Sequence, residues 1–253
     1  MKTVMSILLV AGTISLLTTP VTAQEELDEV SSQIWADYHA HYYLNDRIEW
    51  YADTGLRTLT GNIDWSQAYA RPSLRFHRYK AMDIHAGLGV FFTNNQGADD
   101  VLEIRPWQGV KFFWPKFKNI SFANYFRLEQ RLTFSSDNYE FGLRGRYKLS
   151  TRIPIKKALH NEVFDPLFVP LSAELFSDFG QRVDPLFGSR LRLDAGLGYV
   201  VNDDWVFEFH FIAQLSRSGK TETLETTEYI LRFQIKHLFS SKDYRKQRDD
   251  LPD

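Results

Sequence analysis

The chain has 253 residues, 15% of them aromatic, no cysteine and a formal net charge of −2. The near-neutral balance argues against nucleic acid as a partner, which calls for a basic surface, and the lack of cysteine excludes a disulfide framework and thiolate metal sites. Its negative mean hydropathy excludes a bundle of membrane helices but not a β-barrel, in which every second residue can face water.

Met1-Lys2, an apolar run from Val4 to Leu17 and the ending Pro20-Val21-Thr22-Ala23 predict a secretory signal peptide over 1–23, cleaved after Ala23. The apolar run is shorter than the ~20 residues of a spanning helix. No cysteine follows it, so the exported chain is not a lipoprotein. Lys2 is the leader's only charge, which leaves 29 basic and 32 acidic residues, a net of −3. Residues 24–32 are acidic and unpatterned and read as a periplasmic lead-in.

Alternation with a period of two then recurs along 33–239, the signature of strands with two unlike faces. Gln33–Tyr43 sets Ile34, Ala36, Tyr38, Ala40 and Tyr42 against Gln33, Trp35, Asp37, His39 and His41. A tight turn at Leu44–Arg47 leads to Ile48–Leu59, with Glu49, Asp53 and Arg57 on its polar face. Trp65–Arg78 carries Arg71 and Arg75 inward, and Pro72 predicts a bulge. Met82–Thr93 has a clean apolar face and glycines opposite, where they make room for long neighbours. Val101–Trp114 brings Glu103 and Arg105 inward. Tyr125–Phe134 is the clearest strand, with Phe126, Leu128, Leu132 and Phe134 opposed to Arg127, Glu129 and Arg131. Tyr139–Thr151 offers Arg144 and Arg146, and Phe168–Phe176 offers Glu174. After a turn-rich stretch, Ser189–Val200 alternates Leu191, Leu193 and Leu197 with Arg190, Arg192 and Asp194. Asn202–Asp204 turns the chain into Trp205–Leu215, with Glu208 and His210 inward. Glu228–Phe239 is the last strand, and 240–253 is a charged tail of disordered composition.

These are eleven patterned segments. Bacterial single-chain barrels have an even number, so about 12 strands are expected, with one more hidden in the poorly patterned Arg152–Pro166, or 10 if Gln33–Tyr43 stands outside the wall. The fold class is all-β: a transmembrane antiparallel barrel of outer-membrane, porin-like type, with apolar residues towards lipid and charges towards a lumen. Short turns at Leu44–Arg47 and Asn202–Asp204 read as periplasmic. Longer loops over Thr93–Asp100, Ser177–Gly188 and Ser216–Thr227 read as extracellular, although twelve strands cannot satisfy all of these at once. Trp50, Trp205, Tyr199 and Tyr229 read as an interfacial girdle. A lipocalin-like barrel would turn its apolar side inward, and a secreted sandwich would not need so many inward arginines.

The signal peptide, Glu103-x-Arg105-x-Trp107-Gln108, Arg127-x-Glu129-Gln130-Arg131, Arg144-x-Arg146-Tyr147, Glu174, Arg190-x-Arg192 and Gly196-Leu197-Gly198-Tyr199 together resemble the uncharacterised outer-membrane proteins grouped as domain-of-unknown-function family 2490. The resemblance covers nearly the whole exported chain and implies an outer-membrane-type barrel, with no activity attached. Barrels of this class often end at a terminal aromatic; here Phe239 ends the strand and a charged tail follows.

The candidate lumen residues are Arg71, Arg75, Glu103, Arg105, Arg127, Glu129, Arg131, Arg144, Arg146, Glu174, Arg190, Arg192 and Glu208. Charges on the lipid face cost ~2–4 kcal/mol each near the midplane, so they gather inside and pair. The expected role is structural or a narrow pore. The alternatives are a channel for small anionic solutes or acidic oligosaccharides and a lipid hydrolase. The hydrolase would have to combine His77 or His210 with Ser73 or Ser172, but no strand carries a His–Ser signature. Asp37, His39 and His41, with Glu49 or Asp53 across the turn, could clip a metal, but two solvated rim histidines explain the same residues. No catalytic residue, metal site or cofactor is assigned. The expected partners are outer-membrane lipid and, during insertion, the barrel-assembly machinery of a Gram-negative bacterium.

Overall fold

The computed structural model describes residues 30–60, 65–79, 81–115, 117, 120–136, 138–155, 166–179, 190–217 and 224–239. The signal peptide, most of the lead-in and the charged tail lie outside these residues. Eleven strands run in chain order: β1 (Ser31–Tyr43), β2 (Ile48–Leu59), β3 (Trp65–Tyr79), β4 (Met82–Asn95), β5 (Val101–Phe113), β6 (Ser121–Ser135), β7 (Asn138–Pro154), β8 (Leu167–Phe179), β9 (Arg190–Val200), β10 (Trp205–Arg217) and β11 (Leu224–Leu238). Each pairs with its sequence neighbours, and β1 closes on β11.

The even count is therefore corrected to eleven. An up-and-down meander with an odd number of strands brings its first and last strands together pointing the same way. The seam is accordingly parallel, from Ser31 opposite Glu228 to His41 opposite Leu238, while the other ten pairings are antiparallel. β7 pairs directly with β8, Pro154 opposite Phe168, so among the described residues no further strand stands between them. Arg152 to Pro154 finish β7, and residues 156–165 are not described. Gln33–Tyr43 is in the wall as β1.

Eleven strands also reconcile the loop assignments that twelve could not. The turns after β1 and β9 open at one rim, and the connections after β4, β8 and β10 open at the other. All three of the expected long loops are partly strand, because β4 continues to Asn95, β8 to Phe179 and β10 to Arg217, and β11 begins at Leu224. The two tight turns share one device. Asn45 Oδ1 accepts the amides of Arg47 and Ile48, both at 2.9 Å, and Asn202 Oδ1 accepts those of Asp204 and Trp205 at 2.8 and 3.0 Å. A side chain that mimics a backbone carbonyl holds each hairpin without a glycine.

Pro72 does not produce the expected bulge. It stays in register opposite Ala52, and the ladder to β4 resumes unshifted at Ser73. Irregularities fall instead between Phe76 and Tyr79 and between Gln214 and Leu215.

The distribution of polarity inverts that of an ordinary soluble domain. Leu56 is 64% and Phe126 50% exposed on the outer surface, while Glu49 and Glu129 are 0% exposed inside. Glycines let the inner layer close. A Cβ at Gly87 would stand 2.6 Å from Ser73 Cβ, 2.7 Å from the Pro72 carbonyl oxygen and 2.7 Å from the Trp107 ring. Gly87→Val should lower stability by about 1–3 kcal/mol, since backbone rather than a flexible side-chain end must yield. At Gly142 nothing lies within 4 Å, and Gly142→Ala should change stability by less than about 0.5 kcal/mol. Urea unfolding of the two variants in detergent micelles checks both; equal midpoints would overturn the assignment of Gly87 to a tight contact.

Candidate functional site: the charged lumen

Strand alternation sends every second side chain into the barrel, and the antiparallel register sets charges from neighbouring strands side by side. Glu129 on β6 is the hub. Arg105, Arg127 and Arg146 reach its carboxylate at 3.3, 3.0 and 2.8 Å. Arg105 also contacts Glu103 at 2.8 Å, and Glu103 takes Arg131 at 2.6 Å. Arg146 continues to Glu174 at 2.6 Å, and Arg144 holds Asp178 through two nitrogens at 2.6 and 3.1 Å. One continuous ionic lattice thus covers the inner face of β5 to β8.

A second group lies towards the rim of the tight turns. Glu49 is met by His41 at 2.7 Å, His77 at 3.0 Å and Arg75 at 3.2 Å. Asp53 is paired with Arg71. Asp37 accepts Tyr69 Oη at 2.6 Å and Arg232 Nε at 2.5 Å. On the far wall His210 is clamped between Asp194 at 2.7 Å and Glu208 at 3.0 Å, and Lys236 closes on Glu208 at 2.9 Å.

Aromatic rings back the guanidinium groups. Arg75 lies 3.6 Å over Tyr51, Arg127 3.8 Å over Trp107, Arg105 4.1 Å over Phe91 and Arg152 3.5 Å over Phe168. Each ring shields one face of a cation and gains the quadrupole attraction, worth up to ~2 kcal/mol where water is excluded.

A cavity of about 670 Å³ remains at the centre. Of the thirteen candidate lumen residues, all but Glu129 line it, and Glu129 sits beneath its arginines. Among the described residues its lining holds twelve arginines and three lysines against Asp53, Glu103, Glu174, Asp194, Glu208 and Glu228. The cavity is therefore strongly basic, although the whole chain is slightly acidic. Most of these carboxylates are held by cations or histidine. Arg57, Lys148, Arg190 and Arg192 line the cavity without a direct salt bridge to a carboxylate among the described residues, although Asp37, Glu174 and Glu228 lie near them.

The model of the family described as "Protein of unknown function (DUF2490)" matches residues 32–225. The chain belongs to the DUF2490 family. A search of the curated proteins finds no match. The matched span of this DUF2490 chain takes in β1 almost entirely, all of β2 to β10 and only the start of β11, so Arg232 and Lys236 complete the inner face from beyond it.

The other candidate constellations are not assembled. His210 spends both ring nitrogens on carboxylates, Ser172 Oγ points at Asp194 Oδ2 at 3.5 Å, and Ser73 Oγ donates to the Tyr51 carbonyl at 3.1 Å. His77 likewise lies against Glu49 and Asp83. No serine is joined to a histidine in these pairs, so no nucleophile is activated there. Asp37, His39 and His41 take separate partners: Arg232 and Tyr69, Tyr51, and Glu49. Among the described residues no three His, Cys, Asp or Glu side chains converge as metal ligands.

The inner face also holds an apolar patch that reading of the charges overlooked. Trp35, Ile212 and Ile230 pack as one buried cluster. Its signal was present, because Ile212 is in phase with His210 and Gln214, and Ile230 with Glu228 and Arg232.

Proposed function

We propose that this DUF2490 protein spans the outer membrane of a Gram-negative bacterium as a narrow pore that prefers anions. The observation that carries the reading is the basic lining of the central cavity, in which cations outnumber carboxylates and most of those carboxylates are already paired. A ring of fixed positive charge in a narrow lumen lowers the barrier for anions and raises it for cations. The membrane placement rests on the exposed apolar outer surface and on the expected signal peptide over 1–23. Trp50, Tyr199 and Tyr229 then stand on that surface as interfacial anchors. The rim of the tight turns, where β11 ends, faces the periplasm. The partners are outer-membrane lipid, small anionic solutes and, during insertion, the barrel-assembly machinery. A second reading is favoured by the lattice centred on Glu129, namely that the charges fill the lumen and the barrel is structural.

Conductance of the purified protein in planar bilayers separates the two. Discrete openings with chloride favoured over potassium are expected. Arg190→Gln with Lys148→Gln, which removes two cations without stranding a carboxylate, should bring the permeability ratio towards unity. Silent insertion at every voltage would give the structural reading precedence, and cation preference would overturn the anion reading.

A further inference from the structure

Among the cations without a direct salt bridge, Arg57 on β2 and Arg192 on β9 stand apart because they share a support. Arg57 lies 4.1 Å from the Trp35 ring and Arg192 lies 5.0 Å from it. Trp35 in turn rests on Ile212 and Ile230, which gives the two guanidiniums a rigid apolar floor. Their hydrogen bonding to protein is thin. Arg57 reaches only Gln67 Oε1, at 3.4 Å, and its Nε is buried with no acceptor. Arg192 spends Nε on Gln214 Oε1 at 2.6 Å, and Gln214 is held by Glu228 through its own amide at 2.6 Å. The nearby carboxylates already hold other arginines. Glu174, the register partner of Arg192, takes Arg146 on Oε1, and Asp37 is held by Arg232 and Tyr69.

Two cations brought together in a lumen repel each other, and the nearest carboxylates, Asp37 by Arg57 and Glu174 by Arg192, are each bound directly to another arginine. Measured through the shared ring, the guanidinium carbons are no more than about 9 Å apart. One tetrahedral oxyanion can close such a span by accepting N–H bonds at ~2.8 Å from each side. The planar fork of arginine favours an oxyanion over a halide, because it offers paired donors to paired oxygens. We propose that Arg57 and Arg192, both lying over Trp35, form a binding site for a small tetrahedral oxyanion, a phosphate or sulfate group, inside the lumen. The site deepens the anion reading given above and names the class of solute that the lumen takes.

The test is titration calorimetry on the full-length protein in detergent, with inorganic phosphate as the probe at low ionic strength. Saturable binding of one ion per barrel is expected, competed by sulfate. Arg57→Gln with Arg192→Gln should weaken it at least ~10-fold, the effect of losing charge-assisted hydrogen bonds. Arg47→Gln, which removes an exposed cation on the tight turn outside the cavity, should change it less than ~3-fold. If the double glutamine variant does not fold, Arg192→Lys serves instead, keeping the charge and removing the fork, with several-fold weaker binding expected. No phosphate binding by the wild type, or equal binding by wild type and the folded variant, overturns the site. Calorimetry does not depend on conduction. A barrel that binds phosphate but is silent in bilayers keeps the site and loses the pore, and a conducting barrel without phosphate binding does the reverse.

Discussion

Glu129→Ala is expected to lower the stability of the barrel by about 3–5 kcal/mol, the cost of removing one partner from a buried ionic cluster. The carboxylate is 0% exposed and meets three guanidiniums at 3.3, 3.0 and 2.8 Å. Deleting it loses those contacts, leaves Arg127 without its carboxylate and leaves Arg105 and Arg146 with only Glu103 and Glu174. Charge and not shape is at issue, so Glu129→Gln should be nearly as damaging. Removing a cation as well, as in Glu129→Gln with Arg127→Gln, should recover part of the loss, and a double-mutant cycle measures how much. Urea midpoints in detergent micelles give all four corners. A loss under about 1 kcal/mol for Glu129→Ala would mean that lumen water and counter-ions replace the carboxylate, and the lattice would then be incidental to stability.

Leu88→Arg tests the placement in a membrane. Leu88 is near the middle of β4 and 42% exposed on the outer surface. If that surface lies against hydrocarbon, an arginine at mid-height costs about 2–4 kcal/mol. If the barrel stood in water, an exposed leucine could be exchanged within about 0.5 kcal/mol. Unfolding in phospholipid vesicles, with Asp46→Arg on the tight turn as a control outside the hydrocarbon, compares the two positions. A neutral Leu88→Arg in folded, vesicle-associated protein would end the membrane reading. The outcome is independent of Glu129, because the two side chains point to opposite sides of the wall.

Most of the wall was readable residue by residue. Alternation is a local property, since consecutive strand side chains leave on opposite faces whatever the partner strand may be. The division of Gln33–Tyr43 into Trp35, Asp37, His39 and His41 inside and Ile34 and Tyr42 outside follows from that alone and is seen in β1. Asn45 and Asn202 likewise marked their turns through a local side-chain bond. The start of β11 was not readable. Glu225, Thr226 and Thr227 are polar on both faces, so there is no contrast to detect, and only pairing with β10 across the irregularity after Gln214 makes them strand. Pro72 misled because a proline need not bulge where its ladder can omit one bond and resume in register.

Strand positions, the inward and outward faces and the gathering of arginines and carboxylates on one face were thus determined by the sequence, because each depends on spacing along the chain. Ring closure was decided by the tertiary structure. Whether β1 meets β11, and in which direction, depends on the count of strands and the curvature of the whole wall, and residues such as Asp37 and Arg232, 195 positions apart, become partners only through it. The same closure chose which cations found carboxylates. Arg146 gained two, while Arg57 and Arg192 were left over Trp35 without a direct salt bridge among the described residues. Pairing between charges far apart in sequence is set by the three-dimensional register, which no local periodicity contains.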